Sequence, residues 1–541
     1  MSKKVNDFVN GIIYLFISQI LVKIFGVVYS IYITNKTGFG DKGNAIYMSG
    51  YQIYALLLTV SSIGVPNAIS KLISEKNIRK DIINRERILK IALFLFSIIG
   101  ILASVALFIF SEFIANEVLE ISEANFSLMV LSPAIFFVSV NSVMRGYFNG
   151  IGKIKVTAKV QFVEQVFKSF LTICFVEISA NITNNNTEIM ATCANFATTI
   201  ATLFSLIYIF KEYFKSINIY EEKINYQRER IKNIINNVLV ISFPMTLNAI
   251  LSSIGKNIDS LTVVKILKNI IGEELAIKKY GIISSKVDIL VNMPLSFNSA
   301  IATALIPEIA KRKAKNDLDG LEKKIKFSLL ITLILGIPYC FGTYYYSKEI
   351  FSILFPNASD GSYLLKLSSF GIIFSMLSQT INSILQGLGN NKVPVYASFI
   401  GVVCKVFCNI ILLRMNGILE KGVIIGNIIS SVVSFIITYY NLRKMINIHL
   451  KIIRISFKPI LCSCVMIIIS KSLKEMFTKG SLENNFLSII SIIIAVISYI
   501  ISCLIMKVVK INEIFENAES LENKAFEKKE TLKTLKNKKI F

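Results

Sequence analysis

The chain carries one pattern twice, as GYFNGIGKIKVTAKVQFVEQVFK (146–168) and again as NSILQGLGNNKVPVYASFIGVVCK (382–405). The positions aligned by a shift of 237 residues include Gly150 with Gly387, Gly152 with Gly389, and Lys168 with Lys405. In each copy a short glycine-containing turn joins one long apolar run to the next. The repetition predicts two lobes built on one plan, in which each apolar segment of the first lobe has an equivalent six segments later.

The composition of the whole chain places these apolar runs in a membrane. Of the 541 residues 53% are hydrophobic and only 17% are charged, whereas soluble proteins are about a quarter charged. The mean hydropathy is +0.61. A single histidine, His449, excludes a His-based metal site or a Ser-His-Asp triad. The net charge of +24 lies between apolar runs, which favours a role in membrane topology over nucleic-acid binding.

Fourteen windows are long and apolar enough to cross a hydrocarbon core, which takes about 20 residues in a helix. They are 9–33, 45–70, 89–111, 124–148, 157–178, 189–210, 236–262, 280–306, 327–347, 363–386, 394–413, 422–440, 459–470 and 485–506. The thirteenth is short, and a start nearer Ile452 is the alternative. With the N-terminus inside, the inward segments hold 39 Lys and Arg residues and the outward loops hold 12. Because cytoplasmic loops are enriched in these residues, the asymmetry predicts fourteen spans with both termini cytoplasmic.

The predicted fold is therefore an all-α integral membrane protein of about 14 transmembrane helices, with two pseudo-symmetric six-helix lobes and a C-terminal helix pair. The predicted divisions are an N-lobe (1–210), a basic cytoplasmic linker (211–235), a C-lobe (236–442), a helix pair (443–507) and a basic cytoplasmic tail (508–541). Two parallel lobes with a site between them near the midplane are a transporter plan, which predicts alternating access. The alternative is a duplicated bundle that only scaffolds another activity.

Charged residues inside the apolar windows are the candidate functional residues, because a charge at mid-membrane costs about 2.5–3.5 kcal/mol and must face water or a partner. The basic ones are Lys23, Arg145, Lys159, Lys168, Lys256, Lys286, Lys366 and Lys405, and the acidic ones are Glu164, Asp259 and Asp288. The basic excess predicts a cavity that binds an anion, with lysine ammonium groups against phosphate oxygens. The acidic residues are candidates for binding Na⁺ or a proton during transport.

Structural roles are the alternative for several of these charges. The lysines near window ends are Lys159, Lys286 and Lys366. A lysine in such a place reaches the lipid headgroups. The pairs with helical spacing are Glu164 with Lys168 and Lys256 with Asp259. Each pair is placed to neutralise itself on one helix face.

Three lysines lie too deep for that explanation. Lys23, Lys168 and Lys405 are each about 15 Å inside their windows by helical rise, so a functional role is predicted for them. Lys168 and Lys405 are repeat mates, and the two-lobe plan predicts that they face one another between the lobes.

Seven segments, in order across both lobes, carry a family resemblance. They are SQILVKIFGVVYSIYI (18–33), IGVPNAISKLISEKN (63–77), SPAIFFVSVNSVMRGYFNG (132–150), QFVEQVFK (161–168), NIDSLTVVKIL (257–267), ALIPEIAKRKAKND (304–317) and ILQGLGNNKVP (384–394). With them the sequence resembles the polysaccharide biosynthesis, stage V sporulation protein B and MurJ-like lipid II flippase family of the multidrug/oligosaccharidyl-lipid/polysaccharide exporter superfamily.

The resemblance implies a V-shaped carrier of the bacterial cytoplasmic membrane that moves an undecaprenyl-diphosphate-linked sugar outward, such as lipid II or a polysaccharide repeat unit, for wall, spore cortex or capsule. It implies no catalytic residue, metal or cofactor, and coupling to Na⁺, H⁺ or the membrane potential. It implies membrane lipid and cell-wall or polysaccharide synthases as partners, and no nucleic acid. By motif position the family's functional residues correspond to Lys23, Arg145, Glu164 and Asp259. Tyr29 and Ser30 stand where many lipid II flippases carry an Arg-Asp pair, so another lipid-linked glycan is an open alternative.

Two other functions are kept as alternatives. A cation-coupled multidrug or metabolite efflux carrier of the same superfamily would favour acidic cavity residues, and the basic excess argues against it. A membrane glycosyltransferase or polymerase would need acidic catalytic residues in a sizeable outward loop, and the outward loops are short. The predicted substrate-binding residues are Lys23, Arg145, Lys168, Lys256 and Lys405, and the coupling or charge-pair candidates are Glu164, Asp259 and Asp288.

Overall fold

The computed structural model describes residues 2–62, 64–79, 81–217, 228–314, 316–446, 452–477 and 484–508. Regular secondary structure in these ranges is helical throughout, which confirms the predicted all-α class. Nine helices within the described ranges are long and apolar enough by themselves to cross a membrane.

The first eight helices form the N-lobe. They are α1 (Ser2–Asn35), α2 (Gly40–Ser62), α3 (Gly64–Ile78), α4 (Ile82–Ile109), α5 (Ser111–Phe113), α6 (Ala124–Gly150), α7 (Ile154–Ile182) and α8 (Thr187–Ile217), with a π-helical turn at Ile114–Leu119. Helices α2 and α3 together cover most of the predicted second window, 45–70. The side at which α1 begins is called the N-side below, and the side at which α1 ends is called the far side.

The next eight helices form the C-lobe, and a helix pair follows it. They are α9 (Ile231–Ile271), α10 (Glu273–Gly281), α11 (Asp288–Ala314), α12 (Leu318–Tyr345), α13 (Ser347–Leu354), α14 (Ser362–Gly387), α15 (Lys392–Leu412), α16 (Lys421–Ile446), α17 (Ile452–Phe477) and α18 (Asn484–Ile505), with a second π-helical turn at Ile282–Val287. Helix α17 begins at Ile452, the earlier of the two predicted starts of the thirteenth span. Residues 509–541 of the predicted tail lie outside the described residues.

The repeated sequence produces the same backbone in both lobes. The turns after α6 and α14 each contain a left-handed glycine, with φ of 79° at Gly152 and 81° at Gly389. A side chain at Gly150 or Gly387 would place its Cβ atom 2.6 or 2.8 Å from an atom of a neighbouring helix. Glycine is therefore required twice in each copy, once for the turn and once for close helix packing.

Equivalent helices of the two lobes also start in the same way. Asp81 caps α4 by accepting a hydrogen bond from the backbone N–H of Asn84 at 3.1 Å. Asp317 caps α12 by accepting one from the backbone N–H of Gly320 at 2.9 Å. Such a cap stabilises a helix by about 1 kcal/mol. The two lobes therefore share a helix cap at equivalent positions, in addition to the repeated glycines and lysines.

The apolar core is divided differently on the two sides of the molecule. In the far half, one cluster contains buried residues of both lobes, including Ile46 of α2 and Val264 of α9. The N-side half has two separate clusters, one around Ile69 of the N-lobe and the other around Ile309 of the C-lobe, and the first turns of α9 pack in the former. Apolar packing therefore joins the two lobes at the far side.

Helix α9 contacts both lobes along its length. Ile234 and Val238, near its start, belong to the N-side cluster of the N-lobe. Val264 and Leu267, near its end, belong to the shared far-side cluster. The first turns of α9 therefore pack on the N-lobe. The predicted residue bounds of the two lobes stay a prediction.

Candidate functional site

Lys168, near the middle of α7, lies against tyrosine rings from α1 and α2. Its Nζ atom is 3.9 Å from the centre of the Tyr51 ring and 5.7 Å from that of Tyr29. The residue is only 6% exposed. Ring faces, rather than a carboxylate, therefore stabilise this buried ammonium, an attraction worth about 0.5–2 kcal/mol per ring.

The tyrosines around Lys168 form a continuous face, named here the tyrosine face. Tyr47, Tyr51 and Tyr54 follow one another along α2, with ring centres 5.9 Å and 5.7 Å apart. Tyr29 of α1 completes the face, with its hydroxyl 3.2 Å from that of Tyr47. The three tyrosines of α2 were not among the predicted site residues. Their spacing of four and three residues within one apolar window is the signal that identifies them, because it places them on one helix face.

Arg145 of α6 forms an ion pair with Glu164 of α7, with 2.5 Å between Nη2 and Oε2. The predicted pairing of Glu164 with Lys168 is therefore not what the structure shows. A side chain from the neighbouring helix reaches Glu164 while Lys168 turns to the tyrosine face.

Lys405 of α15, the repeat mate of Lys168, has a different set of partners. Its Nζ atom lies 2.8 Å from Oδ2 of Asp259 and donates to the backbone carbonyl of Gly255 at 2.7 Å, both on α9. Asn409 donates from its side-chain nitrogen to Oδ1 of Asp259 at 3.1 Å and to the hydroxyl of Thr262 at 3.0 Å. Lys405 and Asp259 are each 5% exposed. The result is a buried, hydrogen-bonded ion pair inside the C-lobe.

Two expectations about these lysines require correction. Asp259 pairs with Lys405 across two helices, whereas the sequence predicted a pair with Lys256, whose side chain lies outside the described residues. Lys168 and Lys405 do not face one another between the lobes, because each ammonium is held by helices of its own lobe. Sequence spacing identifies neighbours on one helix, but it does not show which neighbouring helix supplies a closer partner.

Lys286 is also more deeply placed than its position near a window end suggested. Its side chain is 0% exposed, so it does not reach the headgroups as the alternative explanation proposed. Its Nζ atom lies 2.7 Å from Oδ1 of Asp41 in α2 and donates to the carbonyls of Ala358 and Asp360 at 2.7 and 2.8 Å. Because Asp41 belongs to the N-lobe and the other residues belong to the C-lobe, this ion pair joins the lobes.

Further polar contacts join the lobes at the far side. Asn35 donates to the carbonyl of Leu354 at 2.7 Å, and Asn357 donates to the carbonyl of Asn35 at 2.8 Å. Lys268 of α9 lies 2.5 Å from Glu120, which follows the first π-helical turn. Together with the shared apolar cluster, these contacts close the far side of the molecule.

The remaining predicted residues take part in none of the contacts described above. The side chains of Lys23 and Lys159 are exposed. Lys366 is also exposed, and its amine lies 4.7 Å from the ring centre of Tyr344. Asp288 is half-buried at the start of α11. Lys23 is on α1, the helix that also carries Tyr29 of the tyrosine face. Their binding and coupling roles stay predictions.

Known proteins match this chain over most of its length. The family model described as polysaccharide biosynthesis protein matches residues 8–313, and the MatE model matches residues 283–411. Stage V sporulation protein B of Bacillus subtilis is 21% identical, over 88% of this chain and 91% of that protein. Lipid II flippase MurJ of Bacillus subtilis is 23% identical, over 81% and 82% respectively. A solved structure of lipid II flippase MurJ in an inward closed conformation superposes with a TM-score of 0.70 at 17% identity, covering 92% of this chain and 99% of that one.

Proposed function

Because the chain belongs to the polysaccharide biosynthesis protein family, we propose that it is a flippase that moves a polyprenyl-diphosphate-linked sugar across the cytoplasmic membrane. The substrate class is supported by the names of its relatives, a lipid II flippase and a sporulation protein. The N-side is the cytoplasmic side in this proposal, since its segments carry most of the basic residues. Both termini are then cytoplasmic.

The observation that carries the proposal is the division of the apolar core. One cluster spans both lobes in the far half, while the N-side half has two separate clusters, and only the first turns of α9 cross to that of the N-lobe. A carrier that works by alternating access has to break contacts on one side at a time. The state described here is closed at the far side, so the proposed route of the headgroup begins at the cytoplasmic side.

The charged groups of the N-lobe supply the proposed diphosphate contacts. Lys168 is a positive charge held by tyrosine rings, so a phosphate does not have to displace a carboxylate from it. Arg145 is held by Glu164 through one guanidinium nitrogen, and a diphosphate competes with that carboxylate. Lys23 and Lys256 complete the proposed set. Lys405 is neutralised by Asp259, which favours a supporting or coupling role.

Coupling to Na⁺, to H⁺ or to the membrane potential is part of the proposal, with no cofactor and no catalytic activity. Asp288 is the carboxylate proposed for ion coupling, Asp259 for charge pairing with Lys405, and Glu164 for charge exchange with Arg145. Membrane lipid and cell-wall or polysaccharide synthases are the proposed partners.

Vesicle reconstitution tests the function directly. Purified protein in vesicles is given a panel of polyprenyl-diphosphate sugars, with and without an imposed potential, and translocation is measured by the accessibility of the sugar to an external enzyme. We expect transport of at least one member, and rescue of cells depleted of their lipid II flippase if lipid II is that member. Lys366→Met, which removes an exposed amine away from the proposed contacts, is the matched control. Absence of translocation for every polyprenyl-diphosphate sugar would exclude the proposal.

A cation-coupled efflux carrier of drugs or metabolites is the second candidate, and the match of the MatE model to residues 283–411 favours it. The same vesicles, loaded with cationic dyes and given an ion gradient, distinguish the two. Dye efflux without glycan translocation would select the efflux carrier. A glycosyltransferase or polymerase, in contrast, would change the length of the glycan in this assay.

A further inference from the structure

The ammonium of Lys405, on α15, contacts two oxygen atoms of α9. The carboxylate of Asp259 and the carbonyl of Gly255 contact it at 2.8 and 2.7 Å. Asn409, one turn further along α15, binds the other carboxylate oxygen of Asp259 through its side-chain nitrogen. The hydroxyl of Thr262 accepts from that same nitrogen at 3.0 Å, which fixes the orientation of the amide.

That orientation leaves one oxygen unused. The side-chain oxygen of Asn409 is buried and has no hydrogen-bond partner among the described residues. It points at Gly426 of α16, where an added Cβ atom would approach it to 2.9 Å. A buried amide oxygen without a partner costs about 1–3 kcal/mol, so a donor or a cation near it would be stabilising.

Carboxylate, carbonyl and amide oxygens together are the ligands that hard cations prefer. In carriers built from repeated lobes, coupling-ion sites of this composition lie near the bilayer midplane. We propose that the Lys405 ammonium is a tethered monovalent cation that fills such a site between α9, α15 and α16. The site therefore carries its own positive charge and takes no exchangeable Na⁺ in the native protein. Removal of the amine leaves a vacant Na⁺ site built on Asp259.

A comparison of Lys405 with Lys168 supports a cation site occupied by the Lys405 ammonium over an ordinary surface ion pair. Lys168, at the equivalent position of the N-lobe, has tyrosine rings around it and no such set of oxygens. The Asp259 carboxylate is 5% exposed, so loss of Lys405 leaves it without water to screen its charge. A buried charge that loses its partner is strongly destabilising unless another counterion enters.

The consequence for transport rests on the proposed function, while the binding site itself does not. If Asp259 is permanently paired, Na⁺ does not drive transport through this carboxylate. Translocation by the native protein is then equal in NaCl and in choline chloride when the potential is matched. Transport by a chain without the Lys405 amine becomes dependent on Na⁺.

The experiment measures Na⁺ binding by purified full-length protein and needs no glycan substrate. We expect no saturable binding of radioactive Na⁺ by the native protein, and equal melting temperatures in NaCl and choline chloride. Lys405→Ala is expected to bind Na⁺ saturably, and to melt at a higher temperature in NaCl than in choline chloride. Adding Asp259→Asn to Lys405→Ala is the matched control and should abolish both effects.

Lys405→Ser replaces Lys405→Ala if the alanine variant does not give a monodisperse protein. Saturable Na⁺ binding by the native chain that is lost in Asp259→Asn would overturn the proposal, because the site would then be open with Lys405 in place. A folded Lys405 variant that binds no Na⁺ would overturn it as well. Neither result bears on whether a lipid-linked sugar is transported, so the two proposals fail independently.

Discussion

Lys168 and Lys405 occupy equivalent positions in the two lobes and are buried to nearly the same degree, yet they have chemically different partners. Lys168 lies over the rings of Tyr51 and Tyr29, whereas Lys405 is bound by the carboxylate of Asp259 and a backbone carbonyl. The repeat therefore conserves the backbone and the ammonium but not the surroundings of the ammonium.

The difference assigns different tasks to the two lobes. A lysine paired with a carboxylate contributes no net charge, and breaking that pair is costly because both charges are buried. A lysine held by aromatic rings keeps its charge and gives up less free energy when an anion approaches it. The N-lobe thus offers positive charge to a substrate, while the C-lobe holds its own charges together.

The largest effect is expected from breaking the C-lobe pair on its acidic side. Asp259→Ala leaves the Lys405 ammonium buried without a counterion, and we expect a loss of stability of about 3–5 kcal/mol. Thermal unfolding in detergent, in choline chloride, measures it. The double change of Asp259→Ala with Lys405→Met should recover much of the loss, because no charge then remains. An Asp259→Ala protein as stable as the native one would show that the pair is not buried in solution.

A second, smaller loss of stability is expected at Lys286, a buried lysine whose ion pair joins the two lobes. Lys286→Met removes the ion pair with Asp41 and the bonds to two carbonyls, and we expect about 2–3 kcal/mol of lost stability. The loss should be concentrated at the far side, so hydrogen exchange in residues 347–361 should become faster. Lys159→Met, at an exposed position, is the control. Unchanged exchange in that segment would mean that the pair does not hold the far side closed.

The third test concerns the N-lobe, where stability and transport should respond differently. Lys168→Met removes contacts with aromatic rings, so the expected loss of stability is about 1 kcal/mol. Removal of the charge should lower translocation of a polyprenyl-diphosphate sugar roughly tenfold or more. Lys366→Met is matched to it, since Lys366 also lies over a tyrosine ring but is exposed. Normal transport by Lys168→Met would remove the proposed division of tasks between the lobes.

The comparison also shows what the sequence could predict. Repeated glycines and lysines predicted two equivalent lobes, and the structure has the same left-handed turn at Gly152 and Gly389. These features are local, because a turn and a close helix contact depend on residues near in sequence. Which charges would pair depended on how helices approach one another. Glu164 pairs with Arg145 of another helix and Asp259 with Lys405, and the spacing along one helix did not contain that information.

The smallest effect is expected for an ion pair at the edge of the C-lobe, outside the membrane-spanning helices. Glu420 lies 2.9 Å from Lys279 and accepts a hydrogen bond from Tyr363. Burial raises the pKa of the Glu420 carboxyl, but the hydrogen bonds from Tyr363 and Lys279 outweigh it and hold that pKa below its ordinary value. Burial lowers the pKa of Lys279, and its bonds to Glu420 and Tyr363 in turn raise it above its ordinary value.

The directions of these shifts define the pH dependence. A carboxyl with a lowered pKa stabilises the folded state above its ordinary pKa, and this contribution is lost as the pH falls through the folded-state pKa. The Lys279 contribution is lost only at alkaline pH, so acidification removes the Glu420 contribution alone. Glu420→Gln should cost about 0.5 kcal/mol at neutral pH, because the pair is partly exposed, and nothing in acid. Melting temperatures at neutral and acidic pH measure this, with Glu274→Gln in an exposed helical pair as the control.

A neutral-pH difference that persists unchanged in acid would mean that Glu420 contributes through packing rather than charge. That result would bear on the main comparison as well. The pair links α10 to the residue that precedes α16, as the Asp259 pair links α9 to α15, but with more access to water. If the Lys279–Glu420 pair contributes by packing alone, the stability test of Asp259→Ala becomes decisive. The much larger loss of stability predicted there would show that charge, rather than packing, stabilises Lys405 in the C-lobe.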